Sequence, residues 1–195
     1  MSAVWVEHDV RGRKWLWTIG SALIIGYVEL SAYVVSRQDI ESLLICAEQG
    51  GLKIPYAKSI CRAYLSVARG TPENIASLQR DVGASFVVQG GASREEKEQV
   101  LTLLIAKGLD VNRVDMHGST PLHSAVLAGA EDEVDLLLNH GARVDLKDAV
   151  NGLNGLNALV LALKMQADQP ARAAHWEGVV ARLQRAASLT TSATH

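Results

Sequence analysis

Apolar residues recur at helical spacing along most of this chain. Ile40, Leu43, Leu44 and Ala47 form one stripe, and Tyr56, Ile60, Ala63, Tyr64 and Val67 form a second beyond the Gly50-Gly51 break and Pro55. Intervals of three and four place each set on one face of a helix. The pattern therefore predicts a helical hairpin over 36–69, with helices at 39–50 and 55–69. Later stripes follow at Val100-Leu101-x-Leu103-Leu104, at Val134-x-Leu136-Leu137-Leu138, and at Trp176, Val179, Val180 and Leu183 in a helix over 174–187. Start signals recur as well. Ser36-x-x-Asp39 and Ser93-x-x-Glu96 have the capping-box pattern, and Thr71-Pro72 sets a cap before a proline at the first turn. Nothing alternates convincingly with period two, so the class is all-α. Residues 188–195 end in the polar run Thr190 to His195 and read as a disordered tail.

One apolar stretch does not belong to this alternation of faces. Residues 15–35 are apolar or small almost throughout, interrupted by Glu29 and preceded at once by Arg11, Arg13 and Lys14. A spanning helix needs roughly 20 residues, whereas a secretory signal pairs a basic start with a shorter apolar run and a small-residue cleavage site. Both patterns fit, the second through Leu30-Ser31-Ala32. The Leu, Ile and Val side chains favour insertion by about 3–5 kcal/mol in total, and a carboxylate near the middle costs on the order of 3. The basic flank makes residues 1–14 a cytoplasmic N-terminus and turns the rest outward. For a bacterial chain, that means an inner-membrane protein with a periplasmic C-terminal domain, or a periplasmic protein after cleavage.

Charge and composition narrow the partners. A net charge of -2, with Lys and Arg scattered along the chain, gives no basic field for a phosphate backbone, so nucleic acid is not an expected partner. Aromatic content of 5% suits thin, closely stacked helices.

The chain also repeats. Gly108 and Gly141 lie 33 positions apart, each closing an apolar helix and each followed by a short segment, Leu109-Asp110-Val111-Asn112 and Ala142-Arg143-Val144-Asp145. Between them runs Asp115-x-x-Gly118-x-Thr120-Pro121-Leu122-His123-x-Ala125, then Gly129, then Leu136-Leu137-Leu138-x-x-Gly141-Ala142. Residues 115–148 thus resemble an ankyrin repeat. Thr120-Pro121 starts the inner helix, Ala125 admits a close neighbour, Gly129 turns the chain, and Gly141 ends the outer helix. The pattern resumes at Gly155-x-Asn157-Ala158-Leu159-Val160-x-Ala162 with about four residues inserted in the connecting finger. Before Gly108, the inner helix is expected near Ala84 to Gln89. The resemblance covers 70–187 and implies a short helical solenoid, with the hairpin and the last helix as caps.

The resemblance further implies a protein partner; with no Cys/His pair at zinc spacing, no nucleophile elbow and no P-loop in the sequence, no catalytic role, cofactor, metal or small-molecule substrate is expected. Recognition positions carried over from the family are Arg113, Met116, His117 and Ser119 on one finger, Leu127 on the inner helix, and Leu146, Lys147 and Val150 on the next finger. The inserted Asn151, Leu153 and Asn154 join them. An exported scaffold of this kind resembles immunity proteins that block a toxin; a tethered scaffold that stabilises an envelope enzyme is the alternative. Cys46 and Cys61 lie a turn or two from the hairpin connection, so a disulfide and a pair of buried free thiols both fit.

Overall fold

The computed structural model describes residues 4–50, 52, 55–148 and 156–192. Helix α1 (Val4–Ser36) leads into α2 (Ile40–Gln49) and α3 (Ala57–Tyr64), and α3 runs on into a π-helical turn, Leu65–Arg69. Then come α4 (Pro72–Asp81), the short α5 (Ser85–Val88) and α6 (Arg94–Ala106). Two further pairs follow, α7 (Pro121–Ala128) with α8 (Glu131–Asn139), and α9 (Ala158–Asp168) with α10 (Ala173–Ser192), the last two joined by a 3-10 turn, Pro170–Arg172. Among the described residues there is no β-strand, only an isolated bridge between Lys147 and Asn157.

The pairs α5–α6, α7–α8 and α9–α10 stack in chain order. The inner helices α5, α7 and α9 adjoin one another, and α8 adjoins α10 on the outer side. Ala125, Ala158 and Ala162 are fully buried, so the inner helices approach closely where only a methyl group intervenes. Leu101, Leu104, Leu122, Leu137, Leu161, Trp176 and Leu183 fill the space between inner and outer layers.

Local signals set the element boundaries. Thr120 accepts from the His123 amide, Asn157 from the Val160 amide, and Ser93 and Glu96 close a full capping box. At the start of α2 the sequence reading needs correction. Helix α1 runs through Ser36, whose hydroxyl bonds back to the Tyr33 carbonyl at 2.8 Å, so Asp39 itself is the cap and accepts from the Ser42 amide at 2.7 Å. The second helix of the hairpin is likewise shorter than 55–69 implies. Its last five residues widen into the π turn, where the Gly70 amide reaches back to the Leu65 carbonyl at 2.6 Å. A Cβ on Gly70 would sit 2.7 Å from that same oxygen, so this ending needs glycine. Helix α10 extends to Ser192, later than a tail starting at 188 allows, and residues 193–195 lie outside the described residues.

Helix α1 is docked toward its C-terminal end, while many apolar side chains from Trp17 onward face outward. Ser31 and Val35 are buried against the hairpin, the Tyr27 hydroxyl donates to the Pro55 carbonyl, and Arg69 donates to the carbonyls of Ser36 and Gln38 at 3.1 and 3.3 Å. Trp17, Leu23, Ile24, Ile25 and Leu30 remain exposed. The stretch Trp17–Ser36, with a mean hydropathy of 1.6, is long and apolar enough to cross a membrane or to serve as a signal. In the hairpin, Cys46 and Cys61 are joined by a disulfide with their Cα atoms 6.0 Å apart.

Candidate protein-binding face

Finger segments join the helix pairs, and the first is built by side chains that satisfy their own backbone. In the first, the Asp115 carboxylate accepts from the amides of His117 and Ser119 at 2.8 and 3.1 Å, while the Asp115 amide donates to the Ser119 carbonyl at 3.0 Å. Gly118 takes φ +80° in this tight turn, a left-handed conformation that favours glycine. The base of the finger is held from α4, where the buried Gln79 amide both donates to and accepts from the Asp110 peptide, at 2.7 and 3.2 Å. Asn112 then ties this finger to the next, donating to the Gly141 carbonyl at 3.0 Å and accepting from the Arg143 amide at 2.8 Å.

His123 lies beneath the second finger and is fully buried. Its Nδ1 is 2.6 Å from the Thr120 hydroxyl and its Nε2 is 3.1 Å from the Leu156 carbonyl. A carbonyl can only accept, so Nε2 carries the proton and Nδ1 accepts from Thr120. Burial holds the imidazole pKa below its ordinary value, against the opposing pull of the Leu156 carbonyl and Asp148. The unfolded chain therefore binds a proton here that the folded chain refuses, and the ring's stabilising contribution is complete above about pH 6.5 and falls as the pH drops below that. The stability difference between wild type and His123→Gln, measured by urea unfolding, is expected to hold from pH 7.5 to about pH 6.5 and to shrink from there to pH 5. A difference that stays constant over that range would show that His123 does not titrate with unfolding.

The recognition positions carried over from the sequence separate into three groups. Arg113, Met116 and His117 stand exposed on the first finger, joined by Val114, and Leu127 is exposed at the end of α7. Leu146 is half-buried and Lys147 exposed where the second finger bridges to Asn157. Ser119 differs: it is buried, with its hydroxyl 3.5 Å from Asp148, because it ties one finger to the next and presents nothing outward. Val150, Asn151, Leu153 and Asn154 lie outside the described residues.

Sequence reasoning missed Val114, an apolar residue in a polar loop, which was the available signal. It also missed Val160 and Leu163, each more than two-fifths exposed on α9. Val160 stands where His123 stands in the repeat before it, but among the described residues no finger covers it. The outer side is different in character. Arg94 pairs with Asp132 at 3.5 Å, Lys97 with Glu133 at 3.1 Å, and Arg182 with both Glu131 and Asp135 at 2.6 and 2.8 Å. A groove there of about 490 Å³ is lined by Arg94, Lys97, Glu131, Asp132, Glu133 and His175 among others. Several charges of the outer helices thus pair with one another, whereas within the repeats the exposed apolar side chains Val114, Met116, Leu127, Val160 and Leu163 lie on the first finger and the inner helices.

Comparison with known proteins agrees with this architecture. The family described as Ankyrin repeats (3 copies) matches residues 90–171. The ADP-ribosylation factor GTPase-activating protein AGD2 of Arabidopsis thaliana is 38% identical over 35% of this chain, and the match covers 8% of that protein's length. The transient receptor potential cation channel subfamily A member 1 of Homo sapiens is 39% identical over 29% of this chain and 5% of its own. Protein PhlB of Serratia liquefaciens is 32% identical over a longer stretch, 60% of this chain and 55% of PhlB. The chain thus spans a small fraction of the first two relatives and about half of the third. A short all-α solenoid whose finger, helix, turn and helix recur in this order is a protein–protein interaction module, and residues 90–171 of the chain carry ankyrin repeats.

Proposed function

We propose that this chain is a non-enzymatic binding protein of the bacterial cell envelope, and that its partner is a secreted toxin that it neutralises. The observation that carries the binding role is the asymmetry of the solenoid. Arg94, Lys97 and Arg182 on its outer side pair with acids of α8, while Met116, Val114 and Leu127 stand exposed on the finger and inner helix. Envelope placement is supported by the apolar α1 and by a disulfide in the domain directly behind it, a bond that persists in oxidising compartments. The likeness to a bacterial protein over a stretch longer than the repeats supports a bacterial setting.

Capture of a partner by the tagged full chain, extracted in detergent from its own cells, tests the reading. Met116→Asp and Leu127→Asp place a charge where an apolar anchor would be desolvated, so each is expected to weaken capture at least about tenfold with the fold intact by circular dichroism. Cells lacking the chain should then be sensitised to the captured protein. If deletion instead lowers the activity of a captured envelope enzyme, the role is that of a stabilising scaffold. Capture that is indifferent to both substitutions would place the binding surface elsewhere.

A further inference from the structure

Glu48 breaks a local rule without an internal reason. It occupies the last turn of α2, where the helix dipole disfavours a carboxylate, and it is 3% exposed with Oε1 lacking any hydrogen-bond partner. Three ionised groups surround it; Lys97 is engaged elsewhere, and Arg62 is so in part. From α6, the Lys97 ammonium pairs with Glu133 at 3.1 Å, and Glu96, which repels Glu48, pairs with Lys58. From α3, Arg62 donates through Nε to the Ala47 carbonyl at 2.9 Å and through Nη1 to Gln99, while its Nη2 makes no hydrogen bond and lies 4.0 Å from Glu96. Desolvation, with Glu96 adding to it against Lys97 and Arg62, pushes the Glu48 carboxyl up to about 7.

The carboxyl faces a cavity of about 290 Å³ between α2 and the end of α5, lined by Ile45, Glu48, Phe86, Gln89 and Gly90. Gly90 keeps that floor open, since a Cβ there would lie 2.5 Å from Glu48 Oε2. The cavity is at or below the lower limit of small-molecule sites, room for one side chain and too small for a cofactor. Ile45 and Phe86 offer apolar walls to a hydrocarbon stem, Phe86 an aromatic ring to a cation, and Gln89 an amide at the rim. The floor supplies a carboxyl with unused acceptors. A guanidinium on an aliphatic stem matches all of these at once, because it donates in a plane to carboxyl and amide and stacks on the ring.

We infer that the Ile45–Glu48–Phe86–Gln89 cavity is a receptor for an arginine side chain of the protein partner. The inference rests on the binding role proposed above and assigns one chemical feature of the partner. Binding requires the ionised carboxyl, so affinity follows its ionised fraction. It should rise at least about tenfold between pH 5.5 and pH 8.

The test uses N-acetyl-arginine methylamide as the probe, titrated into the full chain in detergent micelles. The Glu48 carboxyl and the Phe86 ring are followed by carbon-13 nuclear magnetic resonance. The expected result is a saturable shift of both signals, stronger at the higher pH, and absent with the neutral isostere N-acetyl-citrulline methylamide. Glu48→Gln should abolish the response, and so should Gly90→Ala, which retains the acid but fills its approach. An unresponsive wild type, or an equal response to citrulline or in Glu48→Gln, overturns the pocket. Because the finger-tip substitutions are read by partner capture, loss of capture in Met116→Asp beside a silent arginine titration would sink the pocket and keep the binder.

Discussion

Trp176→Ala is expected to lower the unfolding free energy by about 3–5 kcal/mol, the range for truncating a large buried aromatic. Trp176 is the bulkiest of the fully buried side chains. It leaves α10 toward the turn between α7 and α8, where Gly129 holds φ +67° and any Cβ would press on His175 and on the indole 3.3 Å away. The ring thus closes the last repeat onto the central one, and His175 packs against it edge-on at 5.5 Å. Trp176 Nε1 has no hydrogen-bond partner, so Trp176→Phe, which removes only the unsatisfied donor and part of the ring, should recover most of the loss. In a stacked array each unit is stabilised chiefly by its neighbours, and the damage should begin at the end. Hydrogen exchange should show α9 and α10 opening well before α7 and α8. Uniform loss of protection across all helices would mean that the stack unfolds as one unit and that Trp176 is not an inter-repeat joint.

The central repeat was legible in the sequence because local chemistry specifies it. Thr120 caps its own helix, Gly129 and Gly141 take left-handed φ of +67° and +85°, and Ala125 is small where the neighbouring helix comes close. Each of these needs only residues within a few positions. The Ser36 capping box misled because a short polar pattern cannot tell whether the preceding helix has ended; α1 had not. The π turn at Leu65–Arg69 was hidden for a related reason. Its cause is the close approach of Gly70 to the Leu65 carbonyl, and a stripe of Tyr64 and Val67 reads as an ordinary helix.

The binding face was less legible, and the reason is long-range packing. Arg113, Met116 and His117 were reachable by alignment to a repeat, yet Ser119 in the same finger is buried because Asp148, 29 positions later, draws it inward. Val160 reads as the counterpart of a buried histidine, yet among the described residues nothing packs over it as Leu156 does over His123. Glu48 gave no motif at all. Its significance comes from Phe86 and Gly90, some forty positions away, and from cations that pair with other partners. An acid in the last turn of an apolar helix was the one available signal, and alone it is ordinary.

Reduction of the Cys46–Cys61 bond is expected to cost the domain about 3 kcal/mol, the loop-closure value for a separation near 15 residues. The bond clamps α2 to α3, and this hairpin covers the N-terminal end of the stack, where α2 packs against α6 and Leu43, Leu44 and Leu65 are buried. An end cap protects the apolar face of every repeat behind it, so a weakened cap is felt beyond its own residues. Urea unfolding of Cys46→Ala/Cys61→Ala and of the wild type with and without dithiothreitol separates the terms. The reduced wild type gives the cross-link alone, and the double variant adds two lost sulfurs in a packed interior. The same bond reports the compartment. The exported full chain, denatured without reductant, should resist alkylation, whereas a chain lacking residues 1–30 and held in the cytosol should take up an alkyl group at each cysteine. Full alkylation of the exported chain would remove both the clamp and the oxidising setting proposed for this domain. Protection of the cytosolic form would leave the clamp in place and withdraw its support for export.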